Sequence, residues 1–345
     1  MQRFLIFFLF LAACQRPSSP LRVESGFYHW QALSRLDSNR IEVLKRPEMG
    51  PLYLRLFDID WDEQWQTAIP VGSLQPELFP SLPDLTVVPT FFLTNRTFRH
   101  LKKEDLDALI EAMLEKTDGL LQELDLGQIK LWQIDCDWTE STRQLFFEFC
   151  TRLRDRLQER GIILSATIRL HQLKYSDRTG IPPVDRGTLM VYNTGKISEP
   201  ATKNSILDLL EVTPYLDKSD NYPLQLDLAL PIFAWALVFR EGKLVRILNP
   251  LPPELEQDTS RFLAEEDTWV AVKRSTFLNG YYLYAGDRIR LERIAESELR
   301  DLAALLAEKL PAADRQILFY HLDEHNLEAY SPQFWLPILE QFQTP

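Results

Sequence analysis

Strand-like and helix-like hydrophobic patterns alternate along most of this chain. Short runs rich in β-branched and aromatic residues are typical of strands, and apolar residues spaced three and four apart are typical of helices. The predicted strands are Gly26–Trp30, Leu52–Asp60, Thr86–Leu93, Ile129–Trp138, Ile162–His171, Leu189–Asn193, Leu224–Ile232 and Ile317–Leu322. Eight strands joined by helical crossovers predict an α/β fold of the (β/α)8 TIM-barrel type.

The helical pattern is clearest over Lys103–Lys116 and Ser141–Arg160, and it returns over Ser297–Leu310 and after Ser331. The second of these opens with S-T-R-Q, which predicts Ser141 as the capping residue of a capping box. It ends at Gly161, a common helix stop. These helices are expected to cover the outside of the barrel.

The seventh strand is followed by a stretch too long for a simple loop. Glu241-Gly242 separates two strand-like runs and predicts a hairpin turn. We therefore expect a small β-rich insertion at about residues 235–294 within one barrel domain spanning 23–345. Pro89 and Pro231 fall inside predicted strands, where bulges or strand ends would have to accommodate them.

Polar residues alternate with apolar ones on the fourth and fifth predicted strands. Gln133, Asp135 and Asp137 share one face, and Thr167, Arg169 and His171 share a face on the next strand. Because the outer face must pack against helices, the polar faces are expected to point into the barrel. Their carboxyl ends reach the mouth, where TIM barrels build their sites.

Other strand ends carry similar chemistry. The candidate catalytic residues are Asp135, Asp137, Asp58, His321 and Asp323, and the candidate substrate-binding residues are Arg169, His171, Tyr192, Asn193, Asp227 and Asn95. Acids, amides, histidines and aromatic rings that converge from many strands are typical of a carbohydrate pocket. No cofactor or metal site is expected.

Structural interpretations of the same residues stay open. Asp135 and Arg169 could form a buried ion pair, and His171 could serve packing alone. The run from Asp58 to Asp62 could be a solvated loop or a weak cation site, although it lacks the glycine and the other ligands of an EF-hand. Glu140 suits a helix start better than catalysis.

The first residues have the pattern of a secretory signal. Arg3 is followed by an apolar run and by L-A-A-C, which resembles the bacterial lipobox. This resemblance implies cleavage after residue 13, lipidation of Cys14 and a short tether over residues 14–22. Gln15 implies sorting to the outer membrane. An ordinary signal peptide or a membrane helix is the alternative, but the apolar run is far shorter than the roughly 20 residues that a span needs.

Net charge and cysteine content exclude several classes of protein. A formal net charge of −12 argues against nucleic-acid binding, which requires a basic face. Only Cys136 and Cys150 follow Cys14, so the chain is not a disulfide scaffold. A disulfide between them or two buried thiols are both compatible with the sequence. The expected partners are a carbohydrate and, through the lipid, a membrane.

Two motifs resemble family-18 chitinase-like glycosidases. Residues 133–139, Q-I-D-C-D-W-T, are similar to that family's D-G-x-D-x-D-x-E signature, and M-V-Y-N at 190–193 is similar to its M-x-Y-D. The resemblance implies that Asp137 orients the substrate's acetamido group and that Tyr192 assists. In that family the acetamide is the nucleophile. Thr139 stands where the family has its general acid, and threonine cannot protonate a glycosidic oxygen at neutral pH.

A wider resemblance covers nearly the whole chain. Segments such as LYLRLFDIDWDE, VVPTFFLTNRTF and LFYHLDEHNL look like those of uncharacterised lipoproteins from Bacteroidetes-type bacteria, for which no activity is implied. The sequence thus predicts a lipid-anchored barrel that recognises a glycan or hydrolyses it with an acid other than residue 139. A non-catalytic glycan- or protein-binding module and a structural envelope protein are the alternatives.

Overall fold

The computed structural model describes residues 21–31, 36–217, 219–266 and 268–343. Its strands are β1 (Val23–His29), β2 (Met49–Asp62), β3 (Thr67–Val71), β4 (Val87–Leu93), β5 (Leu131–Asp135), β6 (Ile163–Arg169), β7 (Arg186–Met190), β8 (Leu226–Pro231), β9 (Trp235–Arg240), β10 (Lys243–Leu248), β11 (Phe262–Ala264), β12 (Trp269–Val272), β13 (Thr276–Leu278), β14 (Tyr281–Leu283), β15 (Arg288–Glu292) and β16 (Arg315–Tyr320). The predicted signal peptide, Cys14 and most of the tether lie outside the described residues.

Eight of these strands close into a parallel barrel. Around the barrel they follow the order β1, β2, β4, β5, β6, β7, β8 and β16, and β16 pairs with β1. Every predicted barrel strand overlaps one of the eight, so the predicted TIM-type fold is confirmed. Pro231 is the last residue of β8, and Pro89 lies within β4 close to a shift in its register with β2.

Helices fill most of the connections between the barrel strands. They are α1 (Ser38–Leu44), α2 (Asn95–His100), α3 (Leu106–Leu124), α4 (Arg143–Gln158), α5 (Leu170–Lys174), α6 (Ser176–Thr179), α7 (Leu209–Val212), α8 (Glu254–Gln257), α9 (Glu296–Lys309), α10 (Glu324–Glu328) and α11 (Leu336–Glu340). None of the helices within the described ranges is long and apolar enough to cross a membrane.

The start of α4 differs from the prediction. Ser141 does not cap the helix; Thr142 is its N-terminal boundary residue, and the Thr142 hydroxyl accepts from the Thr139 amide at 3.0 Å. A four-residue turn between Trp138 and α4 therefore replaces the predicted capping box.

Cys136 and Cys150 are buried free thiols, which is one of the two alternatives that the sequence left open.

The region between β8 and α9 is rich in strands. A five-stranded antiparallel sheet has the order β10, β9, β15, β12, β11, and β13 and β14 form a separate hairpin. Glu241 and Gly242 both have positive φ, 50° and 75°, as the turn between β9 and β10 requires. The predicted β-rich insertion after the seventh barrel strand is confirmed, and it has a hydrophobic core of its own.

Candidate functional site

An ion pair stands at the carboxyl ends of β5 and β6. Arg169 is the last residue of β6, and its Nε donates to Asp137 Oδ1 at 2.6 Å. Asp137 lies two residues beyond β5, and its side chain keeps 51% of its surface exposed. Arg169 therefore pairs with Asp137 instead of forming the predicted buried pair with Asp135. The pair presents both carboxylate and guanidinium groups to solvent.

Asp135 lies beneath this pair in a different environment. Its side chain is buried and accepts a hydrogen bond from Thr167 Oγ1 at 2.6 Å. Burial raises the pKa of Asp135, and the charges of Asp137 and Asp58 raise it too, whereas Arg169 lowers it. The net shift is upward. Asp135 therefore holds a proton more readily than an aspartate in water does.

Aromatic rings lie beside Asp135 beneath the barrel mouth. We call the rings of Tyr28, Trp30, Tyr192 and Tyr320 the aromatic floor. Tyr192, just past β7, stacks on Tyr320 at the end of β16, with ring centroids 5.2 Å apart and planes inclined by 23°. Tyr28 and Trp30 lie 5.8 Å from the Tyr320 ring. Burial raises the pKa of Tyr192, so its hydroxyl stays protonated and can donate a hydrogen bond. The floor therefore offers rings together with hydroxyl groups.

Hydrogen-bonded polar side chains fill the barrel below this floor. Gln133 accepts from the Tyr28 hydroxyl at 2.6 Å, and its amide nitrogen donates to Thr188 at 2.8 Å and to Ser165 at 3.4 Å. The polar faces of β5 and β6 therefore point inward, as predicted. Because these groups satisfy one another, the interior is a packed core, and ligand access is from the mouth.

Asp58 lies on the β2 side of the mouth. It forms an ion pair with Arg55, whose Nε donates to Asp58 Oδ1 at 2.6 Å. Arg55 also donates to the carbonyl of Trp30 at 3.3 Å, which connects this pair to the aromatic floor. Asp60 accepts hydrogen bonds from Arg96 and Thr94. Arginine side chains of the protein therefore neutralise both Asp58 and Asp60. No group of residues in the described ranges could hold a metal ion.

His321 and Asp323 form a separate cluster just beyond β16. Both are buried and line a cavity of about 190 Å³ together with Trp30, Tyr320 and Asn326. Asp323 caps α10 by accepting from the His325 amide, and it also accepts from Gln31 Nε2 at 2.8 Å. Burial lowers the pKa of His321. Asp323 thus has a structural task that occupies both of its oxygens.

Three of the predicted binding residues lie on the rim. His171 is exposed on α5, because the strand ends at Arg169 and not at residue 171 as predicted. Asn193 is exposed just beyond β7 with φ 57°. Asn95 begins α2, and its Oδ1 accepts from the Thr142 hydroxyl at 2.6 Å. All three follow barrel strands at their carboxyl ends.

Asp227 is not at the mouth, contrary to the prediction. It is the second residue of β8 and lies fully buried toward the amino end of the barrel. Its Oδ1 lies 2.6 Å from Arg186 and 2.7 Å from the backbone nitrogen of Gln316. The strand was predicted to begin at Leu224, but alternation alone does not tell which end of a strand a polar residue faces. The role of Asp227 is structural.

Sequence reasoning missed Arg55, Trp30 and Tyr320. Trp30 and Tyr320 lie just beyond or at the ends of β1 and β16, so an aromatic residue at a strand end was the signal for both. Arg55 lies in the middle of β2, where no local pattern marks it as part of a site. Together these residues connect the Asp58 and His321 clusters to the floor.

Thr139 occupies the position of the missing acid. It is exposed, and its hydroxyl lies 2.9 Å from Ser141 Oγ and 3.3 Å from Thr142 Oγ1. These contacts turn it toward the start of α4. The loop after β5 therefore brings Asp137 to the mouth without a carboxylic acid two residues later.

Solved structures that share this fold include a spore cortex-lytic enzyme and chitinases. The spore cortex-lytic enzyme SleL of Bacillus megaterium matches with a TM-score of 0.58 and 12% identity, over 95% of this chain and 76% of that one. The fold is that of chitinase-like barrels. A chitinase from Chromobacterium violaceum matches with a TM-score of 0.54 and 10% identity over 94% of this chain and 100% of its own.

The group IV chitinase of the insect Ostrinia furnacalis matches with a TM-score of 0.52 and 13% identity, over 93% of this chain and 98% of that one. No protein-family model matches the chain, and no curated protein matches it by sequence. At these identities the likeness establishes the chitinase-like TIM barrel alone, since one fold supports many activities.

Proposed function

We propose that the barrel mouth binds a glycan and does not cleave it by the chitinase route. The observation that carries this proposal is the Asp137–Arg169 pair, in which Asp137 is half-exposed, beside the stacked Tyr192 and Tyr320 rings, with threonine at position 139. Sugar hydroxyl groups need paired donors and acceptors, and the apolar faces of sugar rings need aromatic surfaces. The ion pair supplies the first, and the partly exposed rings of Trp30 and Tyr320 supply the second.

The polar partners suit hydroxyl groups. The Asp137 carboxylate accepts only, and the Arg169 guanidinium donates only, so a vicinal diol can satisfy both at once. Their mutual hydrogen bonds at 2.6 and 3.3 Å hold the two side chains in a fixed orientation before a ligand arrives. Such preorganisation reduces the entropy lost on binding.

Hydrolysis is the second candidate function. It is favoured by the contrast between Asp135, whose burial raises its pKa, and the half-exposed Asp137. Neighbouring carboxyl groups in contrasting environments are a usual arrangement of an acid and a base. In this alternative Asp137 is the group that contacts substrate, and Asp135 with Arg169 positions it.

Binding should weaken when the exposed pair is broken. In titrations with oligomers of N-acetylglucosamine and with peptidoglycan glycan strands, we expect Asp137→Ala to lower the affinity at least about tenfold, because it removes charged hydrogen bonds to the ligand. Isothermal calorimetry measures the affinity.

The matched control is Asp118→Ala, which removes the same kind of acid–arginine pair, with Arg160, from the surface of α3. The control should bind as the wild type does. Equal loss in both variants, or no saturable binding by the wild type, would contradict glycan recognition at the mouth. Release of shorter products by the wild type but not by Asp137→Asn would establish the hydrolytic alternative.

We also propose that the protein is a lipoprotein anchored through Cys14, with residues 1–13 removed, and that it resides in the outer membrane. The pattern L-A-A-C followed by Gln15 supports this, as does the resemblance to Bacteroidetes-type lipoproteins. The backbone nitrogen of Arg22 bonds Asp314 at 2.8 Å beside the amino ends of β1 and β16. A tether arriving there would leave the mouth facing away from the membrane.

Lipidation can be tested by labelling growing cells with an alkyne-tagged palmitate. We expect label on the wild-type protein, sedimentation with the outer membrane, and loss of both in Cys14→Ala. Cys150→Ala is the control, because that thiol is buried and should accept no lipid. A Cys14→Ala protein that still carries label would exclude this anchor.

A further inference from the structure

The β13–β14 hairpin of the insertion carries exposed aromatic rings on one face. Phe277 and Tyr282 are directly opposite in the hairpin, and Tyr284 follows two residues later, so alternation puts all three on the same side. Their exposed fractions are 67%, 38% and 51%. Ring centroids are 4.8 Å apart between the first two and 4.9 Å apart between the last two. We call these three residues the aromatic row.

The aromatic row is held in place from below. Leu278 and Leu283, on the other face, are buried in the core of the insertion. Asp287 accepts two hydrogen bonds from Arg240 at 2.8 Å each and one from the Tyr284 amide at 2.9 Å. The Arg240 guanidinium then lies 4.3 Å from the centre of the Tyr284 ring. The rings are therefore held in a fixed orientation and are exposed to solvent. Exposed apolar patches often mark binding sites.

The hairpin that carries the aromatic row is attached at the end of β15 farther from the barrel. β12 and β15 pair from Trp269 with Arg290 to Ala271 with Arg288, and the hairpin connects the two strands beyond Ala271 and Arg288. Arg290 and Glu292, at the other end of β15, bond the loop after β7 at Glu199 and Ser205. The hairpin is thus attached at the end of β15 opposite to the contacts that this strand makes with the barrel.

Positive charge lies next to the aromatic row in an otherwise acidic protein. Lys273 and Arg274 are exposed and lie four and three positions before Phe277. In the described part of the chain neither makes an ion pair with a carboxylate: Lys273 donates to the Thr259 carbonyl and Arg274 to Ser260 Oγ. Because screening limits electrostatic effects to about 10 Å, a ligand on the hairpin interacts with these nearby cations more strongly than with distant charges of the protein.

We propose that the aromatic row, together with Lys273 and Arg274, forms a second binding site, for an acidic polysaccharide. Aromatic faces stack on the apolar faces of sugar rings, and ammonium and guanidinium groups bind the carboxylates of such a chain. A lipid surface fits less well, because insertion needs a broad apolar face. Here two of the three rings bear hydroxyl groups, and both leucines of the hairpin are buried.

Polygalacturonate and its fully methyl-esterified form provide matched probes, since they share a backbone and differ in charge. The mature full-length protein should bind polygalacturonate in affinity electrophoresis, with an affinity that falls as salt rises, and should bind the ester at least tenfold more weakly. Phe277→Ala and Tyr282→Ala should each lower the affinity about three- to tenfold. Tyr282→Phe should retain it, which separates loss of the ring from misfolding.

Leu210→Ala is the control for loss of an exposed hydrophobic side chain, since Leu210 is 84% exposed elsewhere on the surface. It should bind as the wild type does, and so should Asp137→Ala, because the mouth is a different site. Wild-type affinity in Phe277→Ala, equal binding of both probes, or no binding of polygalacturonate would overturn the proposal. Binding to phosphatidylglycerol vesicles that depends on the aromatic row, without binding to polygalacturonate, would identify a membrane site and overturn it too.

Discussion

Replacing Glu292 by alanine should lower the free energy of unfolding by about 3–5 kcal/mol, because the Arg290 guanidinium would then be buried without its counter-ion. Both side chains are fully buried, and Arg290 Nε lies 2.6 Å from Glu292 Oε1. The other Glu292 oxygen accepts from Ser205 Oγ and Trp235 Nε1, each at 2.6 Å. Urea denaturation followed by tryptophan fluorescence measures the change.

Glu256→Ala is the matched control, because Glu256 pairs with Arg293 on the same side of the insertion but at the surface. Its effect should stay within about 1 kcal/mol, as for other exposed pairs. Since Arg290 also donates to the carbonyls of Glu199 and Pro200, Glu292→Ala should also expose the insertion to proteolysis. Similar stability losses in the two variants would show that the buried network does not hold the insertion to the barrel.

Acidification from pH 6.5 to about 4 should cost the wild-type protein about 3 kcal/mol more stability than a His29→Leu variant. Burial lowers the pKa of His29 from 6.5 to about 4, assisted by the charge of Arg40 and by His321. Between these values the unfolded chain binds a proton that the folded chain does not. The stabilisation is therefore complete above pH 6.5 and is lost as the pH falls toward 4.

Unfolding midpoints in urea, measured at intervals between pH 7 and 4, provide the comparison. Leucine carries no charge at any pH and fills the buried space at the end of β1, where the centroid of the His29 ring lies 6.1 Å from that of the Phe79 ring. His325→Leu is the control, because that histidine is exposed on α10 and its loss should leave the pH profile unchanged. Parallel profiles for the wild type and His29→Leu would refute a buried neutral histidine.

Both predictions concern residues that hydrophobic patterning did not single out. His29 lies in a strand that was predicted correctly, yet its burial depends on β16 and on the segment that follows it. Arg290 and Glu292 are near neighbours in sequence, as many surface pairs are. Only the docking of the insertion against the loop after β7 takes their charges out of water.

The alternation of apolar and polar residues was sufficient to predict all eight barrel strands, the inward faces of β5 and β6, and the hairpin turn at Glu241-Gly242. Each of these depends on residues close together in the chain, because the periods of strands and helices are local properties. The same reasoning placed Asp135, Asp137 and Arg169 at the mouth. The resemblance to family-18 chitinase-like glycosidases, and not the alternation, implied that Thr139 stands in place of an acid.

Partners across the barrel were decided by tertiary structure alone. Arg169 pairs with Asp137 and not with Asp135, because the turn after β5 carries Asp137 to the rim while Asp135 stays below it. Asp227 lies toward the amino end of the barrel because it is the second residue of β8. The strand register pairs it with Thr188 of β7 and thereby brings it within reach of Arg186. The aromatic row likewise exists only because the hairpin ribbon buries its leucines and leaves its rings outward. These arrangements rest on contacts between residues distant in sequence, which no local period encodes.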